Sequence, residues 1–134
     1  MVKNISITDK RGQVFDVAIE WDQKDGFVLL HLVMDGLTGI KASKGDLFIS
    51  LIEIRKVLEG RGLFILCLGS AINVYPSRMS RQMSKGLKAY KLKLGEPASP
   101  NDLVDIFDPA IEEEVGSISE QKDYFDKWIK SLRK

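Results

Sequence analysis

Two arginines, Arg78 and Arg81, follow a turn that runs from Gly69-Ser70 to Tyr75-Pro76-Ser77, and these residue types together suit the gripping of an anion. A guanidinium makes charge-assisted, forked hydrogen bonds to phosphate or carboxylate, and a helix starting near Pro76 would add free amides and the positive end of its dipole. On this reading Ser70, Ser77, Arg78 and Arg81 supply donors around a phosphate or carboxylate, with Tyr75, Lys85 and Lys88 alongside. The stretch has neither a Walker A pattern nor Gly-x-Gly-x-x-Gly, and serine and proline at a helix start also serve plain capping.

Other chemistry is sparsely provided for. His31 is the only histidine and Cys67 the only cysteine. The serines at 70, 77, 80 and 84 therefore have His31 alone as a base, and a lone histidine in an apolar strand is more often a core or cross-strand residue. Structural zinc would have to recruit several carboxylates around one Cys and one His. Asp102, Asp105, Asp108 and Glu112 to Glu114 do not have EF-hand spacing and read as a solvated acidic surface. No metal or cofactor is expected, and an enzyme is the least favoured class.

Charge is distributed unevenly along the chain. Residues 71–95 hold six basic side chains and no acidic one, whereas residues 96–134 hold ten acidic and five basic, although the net charge of the whole is only +1. One expectation is that the two segments neutralise each other in the folded state. Another is that the basic surface at 78–93 receives the acidic patch of a partner protein. A small anion, a nucleotide or nucleic acid bound through Ser70 to Lys93 is the alternative. Nucleic acid is weaker, because duplex binders usually show a larger basic excess and no RRM, KH, helix-turn-helix or zinc pattern is present. Tyr75 and Tyr90 have the π-faces to stack on bases, but Tyr90 reads better as a core residue of its strand.

The 134 residues suit one domain, residues 1–134, with a core that needs no disulfide, and 44% apolar against 29% charged residues is an ordinary globular balance. Alternating Phe15, Val17, Ile19 and Trp21 predict a strand buried on one face. A shorter alternation at Ile5 and Ile7 precedes it across Asp9-Lys10-Arg11-Gly12, and Gln23-Lys24-Asp25-Gly26 forms a turn behind it. The third strand, Phe27 to Met34, is nearly all apolar apart from His31, so it should lie centrally with both faces covered or nearly so.

A glycine-rich loop, Asp35 to Gly39, leads to helical spacing from Ser43 to Glu59, with Ser43 and Asp46 as a capping box and Gly60 and Gly62 as the stop. Leu63 to Leu68 returns the chain to the sheet and surrounds Cys67, which predicts a buried thiol and a reducing compartment. A short helix from Pro76 through Ser84 is stopped by Gly86. A strand follows in which Tyr90, Leu92 and Leu94 alternate with Ala89, Lys91 and Lys93, giving a cationic outer face. Residues 102–107 fit a short helix or an edge strand equally well. Ser117 and Glu120 cap an amphipathic terminal helix with Tyr124, Phe125, Trp128, Ile129 and Leu132 on one face, and Lys127, Lys130, Arg133 and Lys134 suiting its dipole.

The predicted fold is α+β: a mixed sheet of about five strands, made of an antiparallel three-strand meander and then helix–strand–short helix–strand, with the C-terminal helix packed on it. The first ten residues lack an uninterrupted apolar segment, and no later apolar run is long enough to span a bilayer, so a soluble cytoplasmic protein without a membrane partner is expected. The leading functional expectation is a non-catalytic protein-binding module of the small regulatory, adaptor or immunity type.

Overall fold

The computed structural model describes residues 1–24, 27–34 and 39–133, with only the backbone of Lys24. The Asp25-Gly26 turn, the loop from Asp35 to Thr38 and Lys134 lie outside the described residues. The fold is α+β, with a five-stranded sheet, a three-stranded sheet and three α-helices.

Strands β1 (Val2–Thr8), β2 (Val14–Lys24) and β3 (Phe27–Val33) form the expected meander, extended at one edge by β4 (Ile40–Ala42) and at the other by β5 (Phe64–Ile65). Every ladder in this sheet is antiparallel, because β5 enters beside β1 in the reverse direction. The turn between β1 and β2 is held by Asp9, whose Oδ1 accepts from the amides of Arg11 and Gln13 at 2.7 and 3.0 Å. The Arg11 hydrogen bond is the main reason the Asp9 carboxyl lies below the ordinary carboxylate range.

Period-two patterning puts Ile5, Ile7, Val17, Ile19, Trp21, Val28, Leu30 and Leu32 on one buried face. Helix α1 (Leu47–Glu59) supplies the opposing layer through Leu47, Phe48, Leu51, Ile54 and Leu58, all fully buried. It begins four residues later than Ser43, since Asp46 is the residue that caps it, accepting from the Ile49 amide at 2.9 Å. Ser43 instead donates its hydroxyl to the Val28 carbonyl, pinning the approach to the helix against β3.

The expectation that β3 is covered on both faces is not met. Val28, Leu30 and Leu32 are buried, but Phe27 is 66% and Leu29 46% exposed. Among the described residues no helix covers the face that Phe27 and Leu29 share, so the apolar run in β3 reflects one core face and one open face.

The chain after β5 builds a second, smaller sheet instead of extending the first. Strands β6 (Val74–Tyr75), β7 (Lys88–Lys91) and β8 (Leu103–Asp105) pair antiparallel with β7 in the middle. Residues 100–102 form a 3-10 turn that runs directly into β8, so the ambiguous 102–107 stretch resolves largely as an edge strand. Within β7 the fully buried residue is Ala89, whereas Tyr90 is only half-buried and lies outside the core, contrary to its predicted role. The smaller side chain fits because Ala89 joins Val74 and Val104 in packing against the main core.

The acidic third docks on the rest through Ile106 and Phe107, both fully buried, with the Phe107 ring 4.5 Å from that of Trp21. Helix α3 (Ile118–Ser131) closes the chain, capped as predicted by Ser117 and Glu120. Among the described residues no helix is long and apolar enough to cross a membrane.

Candidate cationic and aromatic surface

The residues predicted to bind are placed unequally. Ser70 is buried in a 3-10 turn with its hydroxyl 3.6 Å from the Cys67 sulfur, so it is not on the surface that the others share. Ser77 is the N-cap of helix α2 (Arg78–Ser84). Its hydroxyl accepts from the Ser80 amide at 3.0 Å, and the Ser80 hydroxyl accepts from the Ser77 amide at 2.9 Å, so both hydroxyls and these two amides are engaged within the turn itself.

What fixes α2 is its C-terminal end. Lys85 adopts a left-handed conformation, with φ of 53°, and its carbonyl accepts from the Leu47 amide at 2.8 Å. Gly86 follows with φ of 83°, pressed so closely on α1 that a Cβ there would lie 2.8 Å from the Phe48 nitrogen. The contact brings Arg81 to the start of α1, where its guanidinium pairs with Asp46 at 3.3 Å. One carboxylate thus caps α1 with one oxygen and holds Arg81 with the other.

Arg81 also stands over two rings, 5.5 Å from the Phe48 centroid and 5.8 Å from that of Tyr75. Tyr75 meets Phe48 edge-on at 5.2 Å and stacks on Phe125 of α3 at 4.0 Å with the planes 17° apart. Phe125 continues to Trp128 at 6.0 Å, and the indole N–H donates to the Glu96 carbonyl at 2.9 Å. Lys122 approaches from α3, 5.2 Å from the Phe125 ring and 5.9 Å from that of Tyr75. Elements distant in sequence thereby build one ladder of half-buried rings, Tyr75, Phe125 and Trp128, set against the buried Phe48 and approached by the Arg81 and Lys122 cations.

Helix α2 adds an outer face of its own. Met79 and Met83, one turn apart, are 66% and 82% exposed beside exposed Arg78. Sequence reading found Tyr75 and Arg81 but not their union with Phe125, Trp128 and Lys122. The available signal was a helix whose only apolar residues are mostly aromatic, set among charges.

The basic stretch is partly neutralised. Lys88 reaches Asp105 at 3.7 Å and Lys91 reaches Glu114 at 3.9 Å, both in the acidic third. Among the described residues Arg78, Lys85 and Lys93 have no carboxylate within 4.0 Å. The strand half of the stretch is therefore largely spent on intramolecular pairs, and the helix half keeps charge for other use.

Beneath this surface lies a buried polar centre that the sequence did not announce. Arg55 of α1 donates to the Gln121 side-chain oxygen at 2.6 Å and to the Gly116 carbonyl at 3.2 Å, with Glu59 3.8 Å from its Nε. Gln121 in turn donates to the carbonyls of Gly69, Ala71 and Val74, each at 2.9 Å. Burial pulls the Arg55 pKa down, and the neighbouring Cys67 and Glu59 oppose that shift. This centre fixes α3, and so the aromatic ladder, against α1 and β6. Compared with protein-family models the chain matches none, and no curated protein matches it either, so the reading of this surface rests on its own residues.

Proposed function

We propose that this chain is a non-catalytic, cytoplasmic protein-binding module, of the regulatory, adaptor or immunity type, that docks an acidic segment of a partner protein on the surface shared by α2 and α3. The observation that carries the reading is the ladder of Tyr75, Phe125 and Trp128 flanked by Arg81 and Lys122. Tyrosine, tryptophan and arginine are the residue types that most often anchor protein interfaces, because they bury much area at little conformational cost. Met79 and Met83, two residues to either side of Arg81 and so on another face of α2, add exposed apolar surface outside the ladder. Arg78 and Lys85, left without carboxylates, would steer an acidic partner onto the rings. Anion capture at the start of α2 is less favoured, since Ser70 is buried and Ser77 and Ser80 satisfy each other.

The test is a comparison of partners recovered from extracts of the source cells by the wild-type chain and by the Arg78→Glu/Lys122→Glu double variant. Both side chains are exposed, so the fold should be kept. The expected result is a partner bound by the first and lost, about tenfold or more in affinity, by the second. A partner bound equally by both would overturn the assignment of this surface. A thermal shift with phosphate or nucleotides that fades with salt would point to the anion reading instead.

A further inference from the structure

Tyr90 stands in the middle strand of the second sheet, half-buried, outside the core and outside the aromatic ladder. The strand registers place it directly between Tyr75 on β6 and Leu103 on β8, so these three side chains form one row on one face. Ala89 and Val104 turn the other way, toward the core. Helix α3 reaches the β6 side of the Tyr90 face, where Phe125 lies on Tyr75, while Leu103 on the far strand is exposed. The row is a shelf beside the ladder, sharing Tyr75 with it. The acids at its border are engaged: Asp105 lies 3.7 Å from Lys88, and Asp102 accepts from the Ser99 amide and hydroxyl at 3.2 Å. The phenol donors are not. Tyr124 donates to the Leu92 carbonyl, whereas among the described residues the Tyr75 and Tyr90 hydroxyls have no hydrogen-bond partner, and neither is buried.

We propose that the partner's acidic segment continues from the ladder in extended form along β7, over Tyr90 and Leu103, and that the Tyr75 and Tyr90 hydroxyls donate to its carboxylates. This path rests on the docking function proposed above and specifies where the segment runs. A phenol that donates to a carboxylate makes a short, charge-assisted hydrogen bond. The two tyrosines face each other across adjacent strands, with Cα atoms about 5 Å apart, so one acidic segment meets both. Charge favours the same course. Lys85 precedes β7 and Lys93 follows it, both without a carboxylate within 4.0 Å among the described residues, so an acidic chain along β7 has a cation near each end. Beside Lys93 a hollow of about 440 Å³, walled in part by Ser99 and Asn101, leaves room for the segment to pass. Leu103 supplies the apolar contact of the row.

The probe is a fluorescein-labelled peptide of three Glu-Thr-Leu-Thr repeats, which in extended form turns glutamate and leucine alternately to one side. Its anisotropy is followed with the full chain up to about 500 µM, beside a control peptide carrying glutamine for glutamate. Binding of the glutamate peptide alone is expected. Tyr90→Phe should weaken it about tenfold and Tyr75→Phe/Tyr90→Phe further, with circular dichroism and melting temperature unchanged, because each variant removes only an unpartnered hydroxyl. Leu103→Asp should weaken it by a similar factor through repulsion. No binding of the glutamate peptide, equal binding of the glutamine peptide, or indifference to Tyr90→Phe would each overturn the path along β7. So would tighter binding of oligothymidylate, which would assign the tyrosines to base stacking. The docking function is judged separately: a recovered partner lost by Arg78→Glu/Lys122→Glu but kept by Tyr90→Phe upholds the ladder and overturns only this path.

Discussion

Helices α1 and α3 are nearly equal in length, at thirteen and fourteen residues, yet they use their apolar side chains in opposite ways. Helix α1 buries seven residues, five of them large and apolar, between the main sheet and the rest of the chain. Helix α3 buries only Gln121 and leaves Tyr124, Phe125, Trp128 and Ile129 half-covered. Its attachment is instead largely polar: Gln121 to three carbonyls, Tyr124 to the Leu92 carbonyl, Trp128 to the Glu96 carbonyl, and the Ser131 hydroxyl accepting from the Gly95 amide. A helix held by directional bonds can keep an aromatic face in reserve, whereas a helix held by burial has spent its face on the core.

The contrast can be broken most severely in the core. Leu51→Ala removes a fully buried side chain from α1 and should cost about 3 kcal/mol in chemical denaturation, with helix content falling cooperatively across the whole chain. A loss below about 1 kcal/mol would mean that α1 is not the central layer described here. Next comes Gln121→Ala, which strips partners from Arg55 and from three buried carbonyls and should cost about 2 to 3 kcal/mol despite deleting few apolar atoms. A smaller sharpening is Trp128→Ala. It should lower stability by about 1 kcal/mol, because the ring is half-exposed, while reducing partner affinity by a larger factor. Equal losses in stability and binding would place Trp128 with the core residues instead. The gentlest probe is Cys67, which is fully buried beside α1 and whose thiol burial pushes up in pKa. A thiol reagent at neutral pH should label it only as fast as the chain unfolds, and rapid labelling of the native protein would show the core to be looser than its packing implies.

Much of the scaffold could be read from the residues, and the reasons for the remainder are specific. Strict alternation in β2 and the Ser117 and Glu120 cap of α3 are local signals, and both are present as expected. The path of the chain beyond α1 was less legible. Short β6 and β8 owe their existence to pairing with β7, and pairing partners far apart in sequence leave little trace in either segment. The apolar run of β3 was misleading because hydrophobic residues on an open face look the same, in one dimension, as residues between two layers. In the candidate site Tyr75 and Arg81 were identified from charge and turn chemistry, but Ser70 was drawn in by its nearness in sequence and is interior. Gln121 escaped because glutamine in a charged helix ordinarily faces water. Its interior role comes from Arg55 of α1, sixty-six residues away, and from the carbonyls of Gly69, Ala71 and Val74, all distant in sequence.

Glu59, in the last turn of α1, reaches both Arg55 and the Ile118 amide that opens α3, the latter at 3.2 Å. The end of one helix is therefore the beginning of the other's hydrogen-bonding scheme. Peeling α3 away would take Gln121 from Arg55 and from three buried carbonyls and the Ile118 amide from Glu59, so the C-terminal helix should not open as a separate unit. Its amide protons should exchange with solvent deuterium at the pace of the central strands, not at that of a chain end.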